Sequence, residues 1–265
     1  MGTNFIHIME WTYSPADFFE DPLSIESHDY SLSAHDGKAS ATIQTGDALD
    51  AEPVYQSIHR LLLAHFIATL VISHRRYELS EYTTVRIDPA GNRHFVLRVE
   101  SGTMRMSAAN VDFKVSDASG KIIADTRADR IATQRKLAEL ASRHLQADVA
   151  AESILGSYEA AVNDETNELI FLYEIRETIA VRFNGSANAQ SQLGVPEAAW
   201  HRLGVLANVE PLRQGRHRGR QPGRLRDATS SELSEARSIA RLLIQSYLTW
   251  LDNLHDPPTP TISAL

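Results

Sequence analysis

A change of periodicity at Asp125 constrains the fold of this chain more than any other feature of it. Before that residue, short segments of alternating apolar and polar side chains are separated by turn residues; after it, apolar residues recur at three- and four-residue steps. The first pattern builds strands. Residues 30–34 and 39–44 flank His35-Asp36-Gly37-Lys38, residues 85–87 and 94–99 flank Asp88-Pro89-Ala90-Gly91-Asn92, and residues 111–115 and 121–124 bracket Asp117-Ala118-Ser119-Gly120. Met104 and Met106 alternate with polar neighbours just upstream of the last pair. The three pairs read as hairpins of an antiparallel sheet. One amphipathic helix interrupts them over residues 52–64, with Pro53 in its first turn and Ile58, Leu61, Leu62 and His65 on one face. Residues 66–72 are expected as a buried strand.

The second pattern builds helices. Ile131, Leu137, Leu140 and Ala141 mark one, and residues 151–162 a second that ends at Asn163-Asp164, a pair suited to capping the next. Leu169, Leu172, Ile175, Ile179 and Phe183 form a core-facing stripe that stops near Asn184-Gly185, and a shorter helix from Pro196 buries Trp200, Leu203 and Leu206. Thr229-Ser230-Ser231-Glu232 has the spacing of a capping box ahead of Leu233, Ala236, Ile239, Ala240, Leu243, Tyr247 and Leu251. The run Asp256-Pro257-Pro258-Thr259-Pro260 cannot continue that helix, so the tail is expected to be disordered. The expected fold is therefore α+β: a mainly antiparallel β domain with one helix over residues 1–125, an all-α helical bundle over 126–255, and a tail over 256–265.

Such a chain, 265 residues long with 43% hydrophobic and 23% charged residues, has material for two modest cores. Its formal charge of −8 argues against a general nucleic-acid coat, which needs a dense positive surface. Against that acidity stands one basic segment. Six arginines, Arg213, Arg216, Arg218, Arg220, Arg224 and Arg226, fall within fourteen residues without an acid among them, and His217, able to exchange a proton near neutral pH, lies inside the cluster. The segment suits phosphate; it equally suits a solvated inter-helix loop whose arginines keep a helical domain soluble.

Zero cysteines exclude disulfides, thiolate catalysis and cysteine-ligated metal. The N-terminus lacks a basic region followed by an apolar core, and the apolar stretch 61–72 is broken by His65 and ends at His74-Arg75-Arg76, too short for a bilayer. A cytoplasmic protein without a membrane segment is expected. No nucleophile elbow, phosphate-binding lysine loop, zinc-protease helix or dinucleotide fingerprint occurs. His59 and His65 stand six apart on different helix faces, and His74 and His94 lie in separate segments, so neither a metal nor a cofactor is expected. Glu174, Arg176 and Glu177 interleave with the apolar stripe and read as a solvated helix face with an ordinary ion pair.

Over residues 169–251, Leu172-Tyr173-Glu174-Ile175-Arg176, Leu206-Ala207-Asn208, Arg213-Gln214-Gly215-Arg216-His217-Arg218-Gly219 and Glu235-Ala236-Arg237 resemble a group of uncharacterised bacterial proteins. The C-terminal part of that group is similar to the HEPN helical superfamily, and its leading half is similar to the N-terminal sheet here. The resemblance implies a helical bundle that forms a homodimer and either a metal-independent endoribonuclease of defence or stress systems or a non-catalytic protein-interaction or dimerisation module. The superfamily's motif places four to six residues between an arginine and its histidine; here only three separate Arg213 from His217, and Arg216 adjoins it. Carried over, the catalytic set is His217, Arg213, Arg216 and Glu174. Arg218, Arg220, Arg224 and Arg226 would hold the phosphates of RNA or a nucleotide. In that reading His217 moves a proton, an arginine stabilises charge on the pentacoordinate phosphorus, and the 2′-hydroxyl attacks without a metal.

Overall fold

In a computed structural model, the chain divides into two compact units, Met1–Arg135 and Lys136–Leu265. The structure describes residues 5–45, 51–88, 93–96, 112, 114–116, 122–216, 218–220 and 223–255. The hairpin tip at 89–92, residues 97–111 with Met104 and Met106, the turn at 117–120 and the tail from Asp256 lie outside the described residues, as does His217.

The first unit is built on strands β1 (Phe5–Ser14), β2 (Leu23–Glu26), β3 (Tyr30–His35), β4 (Lys38–Thr45), β5 (Glu78–Leu79), β6 (Thr83–Ile87) and β7 (Arg93–Val96), with helix α1 (Ala51–Ser73) between β4 and β5. The sheet runs β2-β3-β4-β1-β6-β7, and β5 pairs with the far end of β1. Every pairing is antiparallel. Two of the expected hairpins are β3–β4 and β6–β7; the first closes on Asp36-Gly37, both at positive φ (50° and 78°), as a tight two-residue turn requires. The third pair forms a separate two-stranded ribbon of β8 (Lys114–Ser116) and β9 (Ile122–Asp125).

The central strand is β1. His7, Met9, Trp11 and Tyr13 alternate onto the buried face, beside Ala39, Ala41 and Ile43 of β4 and Leu32 and Ala34 of β3. Helix α1 corrects the sequence reading, because residues 66–72 are its last two turns and not a strand. An unbroken apolar run has no period to read, and here Phe66, Ile67, Ala68, Thr69, Leu70 and Val71 are all buried. Phe66 meets Tyr13, Phe18, Phe19 and Tyr77, with ring centroids 4.8–5.3 Å apart. Over Glu52–Ser73, α1 is long and apolar enough by length and composition to cross a membrane, yet half of its apolar window is buried within the protein, as in a core helix.

Helix α2 (Thr126–His144) starts where the periodicity changes. Its first turns carry Arg130, which spans Glu20 (2.6 Å) and Asp112 (2.7 Å).

The second unit continues with α3 (Val149–Asn163), α4 (Glu168–Arg182), α5 (Ser186–Leu193), α6 (Glu197–Asn208) and α7 (Ser230–His255). Its core is formed by the predicted stripes: Leu169, Leu172, Ile175 and Ile179 of α4, Trp200, Leu203 and Leu206 of α6, and Ala236, Ala240, Leu243, Tyr247 and Leu251 of α7 are all buried. Asp148 caps α3 by accepting from the Ala151 amide (2.8 Å), and its Oδ1 also accepts from the Tyr247 hydroxyl (2.8 Å). The expected capping box closes α7: Thr229 Oγ1 accepts from the Glu232 amide (3.2 Å), and Glu232 Oε2 accepts from the Thr229 amide (2.8 Å). Asp164 does not cap α4; it accepts from the Thr166 and Asn167 amides in a turn, and α4 begins after Asn167.

Candidate functional site

The described residues of the arginine segment between α6 and α7 are held by backbone hydrogen bonds. Leu212 is buried and bridges Arg226 in parallel register. The Arg213 amide donates to the Arg226 carbonyl (2.9 Å), and the Arg226 amide to the Pro211 carbonyl (2.9 Å). At its bend, Arg216 donates its amide to the carbonyl of Ala207 at the end of α6 (2.8 Å). Gly215 permits that approach, since a Cβ there would stand 2.8 Å from the Ala207 carbonyl oxygen.

This backbone sends the arginines in different directions. Arg216 pairs with Glu177 of α4 at 2.7 Å and lies over the Tyr173 ring, 5.1 Å from its centroid. Arg218 reaches the turn before α4, donating to the Thr166 carbonyl (2.9 Å) and to the Asn167 side-chain oxygen. Arg226 forms a two-pronged pair with Glu232 (2.8 and 2.6 Å), and Glu210 stands 3.6 Å away. That pairing, followed by the Thr229 amide, pulls the Glu232 carboxyl down to about 2 and raises Arg226. Arg213 stands 3.6 Å from Asp227, both exposed. Arg224 is exposed, and Arg220 ends the short 3₁₀ turn Arg218–Arg220.

Of the expected catalytic set, then, Arg216 faces α4, through Glu177 instead of Glu174. Glu174 is half-buried and bonds to no described residue, Arg213 turns to Asp227, and His217 lies outside the described residues. The side chain that sequence reasoning undervalued is Arg176. Its guanidinium lies over Tyr173 (5.0 Å) and over Trp200 of α6 (5.3 Å), so Tyr173 carries two guanidiniums. Gly204, one turn beyond Trp200, makes the room: a Cβ there would come within 2.4 Å of Arg176 Nη1. Arg176 Nε and Trp200 Nε1 are buried without an acceptor.

No described carboxylate pairs with Arg176, whereas Arg237 and Arg202 each have one. Arg237 of α7 grips Glu168 with two bonds (2.6 and 2.8 Å), and Arg202 pairs with Glu235 (2.9 Å). The signal in the sequence was an arginine three residues after a tyrosine on a core stripe, opposite a helix with glycine four residues after tryptophan. Only packing reveals that these meet. Two cations lie over Tyr173, and of the described carboxylates only Glu177 forms an ion pair with either of them.

The first unit holds its own polar cluster. His7 Nδ1 is hydrogen-bonded to the Tyr55 hydroxyl, its Nε2 is buried without a partner, and burial, followed by the charge of Arg86, lowers its pKa. Trp11 Nε1 donates to His59 Nδ1 (3.2 Å), and burial lowers His59 too. Among the described residues no three His, Asp or Glu side chains converge as a metal site. Comparisons with protein-family models, curated proteins and solved structures found no match to this chain.

Proposed function

We propose that the helical unit recognises the phosphates of RNA or a nucleotide, in keeping with the HEPN-like resemblance and the bacterial defence or stress setting it implies. The observation that supports this reading is the anchoring of the arginine segment on α4: Arg216 and Arg218 are held by Glu177, Tyr173, Thr166 and Asn167 next to the unpaired Arg176. A guanidinium fixed before its ligand arrives loses less entropy on binding than one on a free loop. Three contacts by Arg176, Arg216 and Arg218 give a log–log salt slope of about −2 for single-stranded RNA. All six segment arginines acting together would give about −4, but Arg226 is already neutralised by Glu232. Binding of a single-stranded RNA between low and physiological salt tests this; a salt-independent affinity, or none, refutes it.

Cleavage is the catalytic extension of the same reading. His217 takes the 2′-hydroxyl proton as O2′ bonds to phosphorus, Arg216 stabilises the negative oxygens of the pentacoordinate phosphate, and the P–O5′ bond breaks with O5′ taking a proton from water, leaving a 2′,3′-cyclic phosphate and a 5′-hydroxyl. The expected result is cutting in EDTA that His217→Ala abolishes without unfolding the protein; equal cutting by the variant removes His217 from the reaction.

A second reading, a homodimerisation or protein-docking module, is favoured by a groove of about 640 Å³ between α6 and α7, lined by Ala198, Ala199, Ile239 and Leu242 and bordered by Arg202 and Glu235. Sedimentation over micromolar concentrations tests it: a strict monomer excludes the homodimer.

A further inference from the structure

We propose that Arg176, Trp200 and Gly204 form an oxyanion cleft between α4 and α6 that takes a phosphate group itself and not a base. The inference rests on the reading of the helical unit as a phosphate-recognition module, and it assigns the binding to residues outside the arginine segment.

Three observations carry it. Arg176 is a half-buried cation with no described carboxylate partner, while Arg202 and Arg237, its counterparts between the same helices and α7, each hold one. Trp200, only 2% exposed, buries an indole N–H without an acceptor beside a guanidinium whose Nε–H also lacks one. A place rich in donors and short of acceptors has one chemical complement, a ligand carrying negative oxygens. Finally, the absent side chain of Gly204 leaves the space that Arg176 Nη1 occupies.

The same packing argues against a nucleobase. Single-stranded nucleic acid is usually gripped by stacking bases on aromatic rings. Here the Tyr173 ring carries both Arg176 and Arg216, and Trp200 is buried under Arg176. Arg176 is half-buried, and a guanidinium's planar edge matches two oxygens of one phosphate, with Arg216 as a second cation. Glu177, one turn after Tyr173, is engaged by Arg216. Recognition is therefore sequence-independent, and its minimal ligand is inorganic phosphate or a nucleoside monophosphate.

The test uses the full chain, titrated with inorganic phosphate, with adenosine monophosphate, with adenosine and with a short single-stranded RNA, read by the Arg176 Nε–H and Trp200 indole N–H resonances and by affinity. Phosphate and the monophosphate are expected to shift both resonances, and adenosine neither. Arg176→Gln is expected to weaken phosphate and RNA binding at least tenfold. Gly204→Ala keeps every charge but drives the guanidinium aside, and it is expected to weaken binding comparably while the circular dichroism spectrum stays unchanged. RNA binding that survives both substitutions but is lost when Arg216 and Arg218 become glutamine overturns this cleft and leaves the phosphate-recognition reading standing. Adenosine binding as tightly as its monophosphate also overturns the cleft. Absence of phosphate and RNA binding in the unsubstituted chain overturns both.

Discussion

Replacing Arg237 by methionine should be among the most destabilising single changes in the helical unit. Glu168, the first residue of α4, is 1% exposed, and both of its oxygens accept from Arg237, Oε1 from Nε at 2.6 Å and Oε2 from Nη2 at 2.8 Å. The pairing raises the Arg237 pKa, with the hydrogen bond to Glu168 as its largest cause. Methionine preserves most of the buried stem but takes two hydrogen bonds and the paired charge from a buried carboxylate, a loss of about 3–5 kcal/mol for breaking a buried pair from one side. The start of α4 offsets part of this, since the amide ends of a helix favour an anion by about 0.5 kcal/mol. A net loss of about 3 kcal/mol is a large fraction of the 5–15 kcal/mol that holds a typical domain, and at about 4 °C per kcal/mol it lowers Tm by about 12 °C. Urea denaturation followed by circular dichroism measures it. Glu168→Leu combined with Arg237→Met should recover most of the loss, because an apolar pair of similar volume strands no charge. A single Arg237→Met costing under 1 kcal/mol, or a double variant no better than the single, would refute the reasoning.

Acid should weaken the α7 cap. With its folded pKa held at about 2 against an ordinary 4.5, Glu232 contributes stability that is present above about pH 4.5 and lost as the pH falls towards 2; Glu232→Gln should flatten denaturation midpoints across that window. His65 acts at higher pH: burial, then Arg135, lowers it to about 4 from 6.5, so its neutral form favours the fold and stability should fall as the pH drops from 6.5 to 4, an effect that His65→Gln removes. The two close glycines should behave oppositely. Gly215→Ala forces a methyl against the Ala207 carbonyl and should cost about 1–3 kcal/mol in thermal or chemical melts, whereas Gly204→Ala meets only the mobile end of Arg176, gains about 0.5–1 kcal/mol of helix preference and should leave Tm unchanged or raised.

Much of the fold was legible because it rests on local rules. The Asp36-Gly37 turn, the Thr229/Glu232 box and the stripes of α4, α6 and α7 are written in short windows, since turn geometry, capping and a 3.6-residue repeat involve neighbours in sequence. The misses have equally local causes. Strand β1 alternates cleanly only from Met9 to Ser14, since Ile6 and Ile8 share a face with Glu10 and Thr12, and its partners β4 and β6 lie far along the chain, so no hairpin turn marks the centre of the sheet. Residues 66–71 are apolar on every side, which leaves helix and strand indistinguishable until α1 is seen to run on to Ser73. Helix α5 has a single buried residue, Ala189, too little for a stripe.

The site divides along the same line. Sequence alone determined that positive charge is concentrated over Arg213–Arg226 on an acidic chain, because charge is a property of composition. It could not determine what each guanidinium faces. That depended on distant partners: Glu232 neutralises Arg226, Glu177 and Tyr173 fix Arg216, and Asn167 takes Arg218. Arg176, whose charge no described carboxylate answers, lies in a stretch that reads as an ordinary solvated helix face, because Gly204 and Trp200 come from another helix. A side chain's type is set by its codon, but whether its charge is answered depends on which carboxylates the packing brings within about 4 Å, and only the tertiary structure decides that.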